Sequence, residues 1–279
     1  MKPMQTRRVE NYSNCKISII IATHKQYFMP GDPMYIPLHV GKLGKESIGY
    51  QGDDVGDNIS AKNPYFCELT GLYWVWKNLS TDYIGLIHYR RFFSMKTYLQ
   101  RKKLSLQDIY LSQSEAEALL QKYDVLVPKK RNYYIETLYS HYAHTLHKEH
   151  LDVAREIIKE YTPDYVESFD KVMKQRGGYM FNMFIMPKEL VNHYCCWLFP
   201  ILFELERRIP PDGYSSFHAR FYGRVSELLF NVWLHNYSIN HSIRIKEIPF
   251  IYGEKINWIK KGTAFLLAKF FKKKYEKSF

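Results

Sequence analysis

The 279-residue chain has no apolar run long enough to cross a bilayer. Its most apolar region, Phe181 to Leu205, is broken by Pro187, Lys188, Glu189, His193 and Pro200. Met1 to Asn14 is polar and charged, so no secretory leader is expected. Cysteine is sparse. Cys15, Cys67, Cys195 and Cys196 have no metal-ligand spacing, and reduced thiols in a cytoplasmic protein are the expected state. Neither a P-loop nor the glycine fingerprint of dinucleotide-binding proteins is present, and no internal repeat or low-complexity linker divides the chain. Acidic residues are in deficit: 28 Asp and Glu face 40 Lys and Arg, a formal net charge of +12. That balance implies an anionic partner, whether nucleic acid, an anionic membrane face or a phosphorylated small molecule.

What is present fits a folded protein. Hydrophobic residues are 46% and charged residues 24%, which excludes a disordered chain. The 24 Tyr, 17 Phe and 5 Trp serve equally well to fill a core or to bind sugars and bases. Much of the basic excess lies in Lys255 to Lys277, where Lys260, Lys261, Lys269 and Lys272 alternate with Trp258, Phe265 and Phe270. This basic amphipathic tail reads as a membrane-surface segment rather than a nucleic-acid site, the alternative being a solvated C-terminal helix.

The apolar pattern predicts strands over Lys16 to Ala22 and Met34 to Val40, followed by a glycine-rich loop from Gly41 to Gly56. A continuous helix is expected from Asn58 to Leu79, then a strand from Tyr83 to His88. Further on, Ser114 to Lys122 reads as a helix and Asp124 to Val127 as a strand. Tyr179 to Met186 reads as a strand after a Gly177-Gly178 turn, and Leu190 to Arg208 and Gly223 to Asn236 as long amphipathic helices. Strands ending in polar clusters suggest an open α/β sheet that binds its ligand at the carboxyl ends of its strands.

Three clusters could carry chemistry. The junction Gly52 to Ser60 joins glycines and carboxylates to a helix start, and can hold a ribose or phosphate or simply be a capped turn. His88-Tyr89-Arg90-Arg91 brings two arginine forks to a strand end, suited to diphosphate oxygens, although one arginine could serve an internal ion pair. His218, Arg220, Arg224 and Glu227 precede an apolar helix; Glu227 is either a base for an acceptor hydroxyl or a helix-dipole carboxylate. His141, His144, His147 and His150 recur every third residue. That spacing drifts around a helix and supplies no third ligand, so exposed or acceptor-side histidines are expected rather than a metal site.

Taken together, the segments IIIATHK (Ile19 to Lys25), YIPLHVG (Tyr35 to Gly41), GDNISAKNPYFCELTGLYWVWKNL (Gly56 to Leu79) and DYIGLIHYRRFF (Asp82 to Phe93) resemble a known family. So do FNMFIMPKEL (Phe181 to Leu190), WLFPILFELERRI (Trp197 to Ile209) and ARFYGRVSELLFNVWL (Ala219 to Leu234). The family is that of the bacterial capsular and exopolysaccharide biosynthesis glycosyltransferases, formerly catalogued as a domain of unknown function.

The resemblance implies a GT-A-like nucleotide-sugar-binding fold: α/β, with a central mostly parallel sheet flanked by helices over residues 16–252. Residues 16–128 would form the donor half and 129–252 the acceptor half, between an N-terminal extension (1–15) and the basic tail (253–279). It implies donor binding by Thr23, His24, Lys25, Asp57, Asn58, Ser60, Lys62, Glu68, Tyr89, Arg90 and Arg91. Acceptor binding would fall to His147, Asn182, His218 and Arg220, and catalysis to Glu227 and His88. The implied reaction moves a sugar from a UDP-sugar, UDP-galactofuranose first, to a lipid-linked oligosaccharide in capsule, exopolysaccharide or O-antigen synthesis. It would run in the cytoplasm, peripherally at the inner membrane face.

Two departures stand out. Where many GT-A enzymes carry an Asp-x-Asp metal motif, this chain reads His88-Tyr89-Arg90, so no metal or other cofactor is expected, with a divalent cation left open. Leu228 stands where the family leads one to expect an arginine, which loosens the assignment of Glu227. The rival readings are a non-catalytic membrane scaffold of polysaccharide assembly and a nucleic-acid-binding protein.

Overall fold

Seven consecutive residues, Ile17–Thr23, form β1 with every side chain buried. A strand covered on both faces is buried without alternation: ISIIIAT supplies five apolar residues, and its two hydroxyls are hydrogen-bonded, Ser18 with Thr81 and Thr23 to Lys25 O. The computed structural model describes residues 15–253. The extension before Cys15 and the tail after Gly253 therefore lie outside the described residues.

From β1 the chain runs through β2 (Tyr35–His39) and the short β3 (Gln51–Gly52), then α1 (Asn63–Phe66), α2 (Leu69–Asn78), β4 (Tyr83–His88) and β5 (Arg91–Phe93). Three short helices follow, α3 (Tyr98–Arg101), α4 (Leu106–Ile109) and α5 (Gln113–Leu120), then β6 (Val125–Pro128) and β7 (Arg131–Asn132). The second half holds α6 (Leu138–Thr145), α7 (Glu149–Tyr161), α8 (Val166–Met173), β8 (Gly177–Gly178) and β9 (Phe184–Pro187). It closes with α9 (Lys188–Arg208), α10 (Phe221–Asn240), β10 (Ile245–Ile248) and β11 (Phe250–Tyr252).

The main sheet has the order β10-β6-β9-β4-β1-β2-β3, with β5 and β11 paired beyond β4. β1 pairs in parallel with both β2 and β4, and β10 with β6, while β9 runs antiparallel between β4 and β6. This is the expected α/β, GT-A-like arrangement with a central, mostly parallel sheet. The chain first builds outward from β1 through β2 and β3, then returns to lay β4 on the opposite side. The resulting switch point lies between the carboxyl ends of β1 and β4, where open α/β sheets bind ligands.

Several expected elements fall elsewhere. The helix expected over Asn58 to Leu79 is three pieces: a 3-10 turn (Ser60–Lys62), α1 and α2. It breaks at Cys67, whose backbone is left-handed (φ 54°) although the sequence offers neither glycine nor proline there. The break is held from outside the helix, by Asn63 Nδ2 donating to Cys67 O at 2.8 Å and Arg220 Nε donating to Cys67 Sγ at 3.1 Å. Gly177-Gly178, expected as a turn, is the strand β8 paired with β7. The strand expected over Tyr179 to Met186 shrinks to β9, because Phe181 (φ 77°) and Asn182 (φ 52°) are left-handed and cannot continue a ladder.

The Gly41 to Gly56 loop is pinned by the fully buried Asp53. It accepts from the backbone N–H of Gly41 (2.8 Å) and Lys42 (3.0 Å) and from Ser60 Oγ (2.5 Å). Gly41 is required at φ +64°, where an added Cβ would meet Asn63 atoms at 2.4 Å. No helix of the described residues is long and apolar enough to cross a membrane.

Candidate functional site

Beyond the carboxyl end of β4 a cavity of about 240 Å³ opens between the sheet and helices α6 and α10. Residues named from the sequence that line it include Glu68, His88, Arg90, Arg91, Arg220, Arg224 and Glu227. Each arrives from a different local device. His88 ends β4; Arg90 lies in the tight turn that follows and Arg91 begins β5; Glu68 sits at the start of α2, aimed by the break at Cys67. Arg220 and Glu227 come from the 3-10 turn before α10 and from its second turn.

The cavity is strongly cationic. Arg90, Arg91, Arg131, Arg220 and Arg224 face only Glu68 and Glu227 among its charged lining. The buried Nε atoms of Arg90 and Arg91 have no hydrogen-bond partner among the described residues. Buried donors are normally satisfied, and an unsatisfied one costs about 1–3 kcal/mol, more for a charged group. Two adjacent guanidinium donors open at one cavity wall suit an anion with several oxygens. Arg91 is further held by the face of Phe181, 4.0 Å from its guanidinium carbon.

Protonation states follow from burial. Burial, reinforced by Arg91 and Arg90, pushes the His88 imidazole well below its ordinary range. Its Nδ1 accepts the Arg90 backbone N–H at 3.2 Å, which puts the ring proton of the neutral form on Nε2. Glu227 moves the other way. Burial and then the neighbouring Glu68 raise its pKa, against the opposing pull of the Phe181 backbone N–H, Arg91 and Arg131. Burial also pushes the Cys67 thiol up to about 11, so its sulfur meets Arg220 as a neutral acceptor.

Among the described residues, the four non-glycine positions with positive φ are Cys67, Tyr134, Phe181 and Asn182. Cys67 and Phe181 line the cavity; Asn182 donates to Glu68 Oε1 at 2.9 Å; Tyr134 follows the lining residue Tyr133. Such backbone costs of order 1–3 kcal/mol each and persists where surrounding structure over-determines it, most often at functional sites. Asn182 is over-determined in this way. Its buried side chain also donates to Gly223 O (3.1 Å) and accepts from Ser226 Oγ (3.0 Å).

The other sequence-derived candidates take varied places. Thr23 is buried and donates from Oγ1 to Lys25 O at 2.7 Å. Lys25 lies 5.0 Å from the Tyr89 ring, and Tyr89, buried, packs against His24 and His88. These residues form the wall between the carboxyl ends of β1 and β4. Burial, then Arg90 and Lys25, lowers the His24 pKa.

His147 and His218 approach each other with ring centres 5.1 Å apart, beside Tyr214. Ser60 is committed to Asp53, and Lys62 to an ion pair with Glu206 at 2.7 Å. Asp57 and Asn58 are not brought to the cavity. The Asp57 backbone N–H donates to Asn78 Oδ1 at 3.2 Å, at the far end of α2, about 15 Å along the helix axis from Glu68.

Sequence reasoning missed Arg131 and Tyr133, both lining the cavity. Arg131 follows the end of β6 as Arg90 follows β4, so the same strand-end argument could have found it. His141, expected only as one of the exposed or acceptor-side histidines, also lines the cavity. Its Nδ1–H donates at 3.0 Å to the buried Glu136 carboxylate, to which His144 also donates, and its ring stacks on Tyr133 at 4.0 Å. Burial takes His141 down to about 4 in spite of Glu136. His150, expected to be exposed or on the acceptor side, is instead fully buried between the hydroxyls of Tyr142 (2.9 Å) and Tyr214 (3.2 Å) and stacks on Phe221.

A divalent cation does not fit the His88-Tyr89-Arg90 turn. No carboxylate stands there, the His88 Nδ1 is occupied, and the surrounding guanidiniums repel a cation. Among the described residues no group of three His, Cys, Asp or Glu could hold a metal ion.

Comparison with known proteins places this geometry in context. The family model described as a domain of unknown function (DUF4422) matches residues 18–238. The solved apo structure of the bifunctional glycosyltransferase WbbM superposes on 86% of this chain with a TM-score of 0.79 and 31% sequence identity. The matched part is 46% of the WbbM chain, so the present chain spans about half the length of that structure. No curated protein matches the sequence.

Proposed function

The chain belongs to the DUF4422 family, and from its likeness to a glycosyltransferase structure we propose that it is a glycosyltransferase whose donor diphosphate binds in the arginine-lined cavity. The observation that carries this reading is the pair of buried, partnerless Nε donors on Arg90 and Arg91. The likeness to a glycosyltransferase structure supports it. The donor is a UDP-sugar, UDP-galactofuranose being the first to try, and the acceptor a lipid-linked oligosaccharide in capsule, exopolysaccharide or O-antigen synthesis. The work is done peripherally at the inner face of the cell membrane.

Each group then has a role. Arg90 and Arg91 hold the diphosphate and stabilise the charge that develops as it departs. Neutral His88 can donate from Nε2 to a diphosphate or sugar oxygen. Glu227 is the base. In an inverting transfer the acceptor hydroxyl attacks the anomeric carbon and its proton passes to the Glu227 carboxylate. The bond from that carbon to the diphosphate oxygen breaks, and its electron pair leaves with the nucleoside diphosphate. A carboxyl with a raised pKa is the stronger base for this step. Thr23, His24, Lys25, Glu68 and Tyr89 complete the donor side, with His147, Asn182, His218 and Arg220 toward the acceptor.

The test is a panel of nucleotide sugars, read by thermal shift and by release of nucleoside diphosphate in the presence of acceptor. A UDP-sugar is expected to raise the melting temperature of the native chain and not that of Arg90→Ala or Arg91→Ala. Absence of any shift or turnover across the panel would leave the scaffold reading in its place.

A further inference from the structure

Between Phe93 and Tyr110 the chain makes an excursion that buries almost nothing. Both short helices within it, α3 and α4, lack a single buried residue. Twelve large apolar side chains are well exposed among the described residues, and five of them fall here: Met95, Tyr98 (65%), Leu99 (71%), Leu104 and Leu106 (56%). Isolated exposed leucines need no explanation, but such clustering on one short segment does.

The segment is nevertheless built. Thr97 and Gln100 form a reciprocal capping box on α3, and Ser105 caps α4. Its base is tied shut by Ser94 Oγ donating to Ile109 O (2.6 Å) and the Leu111 N–H donating to Phe93 O (2.9 Å). Gln107 anchors its flank by accepting the Gly31 N–H at 2.6 Å. Caps of this kind contribute roughly 1 kcal/mol each. They hold a shape that no core contact requires.

Charge identifies what the shape meets. Residues 95–109 carry Lys96, Arg101, Lys102 and Lys103 against one acidic residue, Asp108, which accepts from Ser105 Oγ at 2.6 Å. Lys96 is engaged by Glu115, and the Lys102 ammonium lies 4.6 Å from the Tyr98 ring. Exposed leucines and a tyrosine flanked by cations match a bilayer interface: apolar groups enter the acyl boundary while lysines meet anionic headgroups. The excursion springs from β5, the strand that begins at Arg91, so the patch adjoins the cavity along the chain.

We propose that residues 95–106 form a membrane-contact surface for an anionic phospholipid bilayer. This surface is distinct from the basic tail and does not rest on the glycosyltransferase reading, because vesicle binding is measured without any reaction.

The full chain should co-sediment with vesicles containing phosphatidylglycerol and much less with phosphatidylcholine alone. Lys102→Glu with Lys103→Glu should cut partitioning by roughly 30-fold or more, from the usual contribution of a cation near an anionic surface. Leu99→Ser with Leu106→Ser should cut it by about tenfold or more, from lost apolar burial. Since the tail could bind too, a local probe is decisive. With exposed Cys196 replaced by serine, an environment-sensitive NBD label on Leu99→Cys should shift its emission to the blue on adding the anionic vesicles. An unchanged emission, whether or not the double variants bind like the native chain, overturns the proposal. So does a dimer that forms without lipid and is dispersed by the leucine variants, because a second copy would then be what covers the patch.

Discussion

Arg91 stacks its guanidinium on the ring of Phe181, 4.0 Å from the ring centre, and Phe181 donates its backbone N–H to the Glu227 carboxylate. One residue therefore joins the proposed diphosphate clamp to the proposed base. It does so from a left-handed backbone (φ 77°) that a phenylalanine adopts only under constraint. The constraint comes from its neighbour, Asn182, tied to Glu68, Gly223 and Ser226. Cation, carboxylate and strained turn form one unit.

Glu227→Gln removes the proton acceptor while keeping shape and volume. Turnover should fall by about 10²–10⁴. Stability should hold or rise. The folded-state pKa of Glu227 is raised, so its contribution to stability is full at low pH and is lost as pH climbs through that value. At neutral pH the native chain thus bears an unfavourable buried charge that glutamine lacks. Loss of activity together with a lower melting temperature would assign Glu227 a structural role instead.

The pH profile should carry the same signature. An acid limb in kcat/KM is expected above the ordinary glutamate value of 4.5, because Glu227 must be ionised to act. No limb is expected near the ordinary histidine value of 6.5 on account of His88, which burial keeps neutral well below it. His88→Asn should leave the acid limb in place, whereas a limb that moves with His88 would transfer the titration to that residue.

Arg91→Lys keeps the charge and loses the fork. Affinity for UDP, measured by calorimetry, should drop about 10–100-fold, the equivalent of one charge-assisted hydrogen bond. Equal affinity in the lysine variant would show that only net charge matters at this wall.

Activity should persist in EDTA. The arginines already supply the positive charge a leaving diphosphate needs, and the turn after β4 offers a cation no carboxylate. Complete loss in chelator, restored by manganese, would reverse this expectation.

Asp53→Ala tests the frame rather than the chemistry. It strands the backbone N–H groups of Gly41 and Lys42, at about 1–3 kcal/mol each, and releases Ser60. Urea unfolding should show a loss of roughly 2–6 kcal/mol, by the same principle. Ser60→Ala should likewise cost stability while leaving the donor KM unchanged. A selective rise in KM would restore Ser60 to the donor site.

Sequence was most legible where local chemistry and tertiary demand coincide. The predominantly apolar, β-branched run of β1 reads as a strand buried on both faces, and β4 is bounded by the same logic. The His88-Tyr89-Arg90-Arg91 cluster was readable because a strand end in a parallel sheet is also the ligand edge. Asp57 and Asn58 lie away from the arginine-lined cavity for a complementary reason. Glycines, carboxylates and a following helix also describe an ordinary capped turn, and this one packs at the distal end of α2.

The sequence by itself determined the α/β class, the strands that build the switch point, and the arginines at its edge, since periodicity and strand-end placement are local properties. Only the tertiary structure decided the break at Cys67 that aims Glu68, the left-handed turn at Phe181 and Asn182, and the Glu136 pairing that brings His141 to the cavity. Two of these are fixed by partners distant in the chain, Arg220 for Cys67 and Gly223 and Ser226 for Asn182; the third rests on nearer neighbours, Glu136 and the Tyr133 stack for His141. Strain and buried charge are maintained by surroundings rather than by propensity, so a residue-by-residue reading had no term in which to express them.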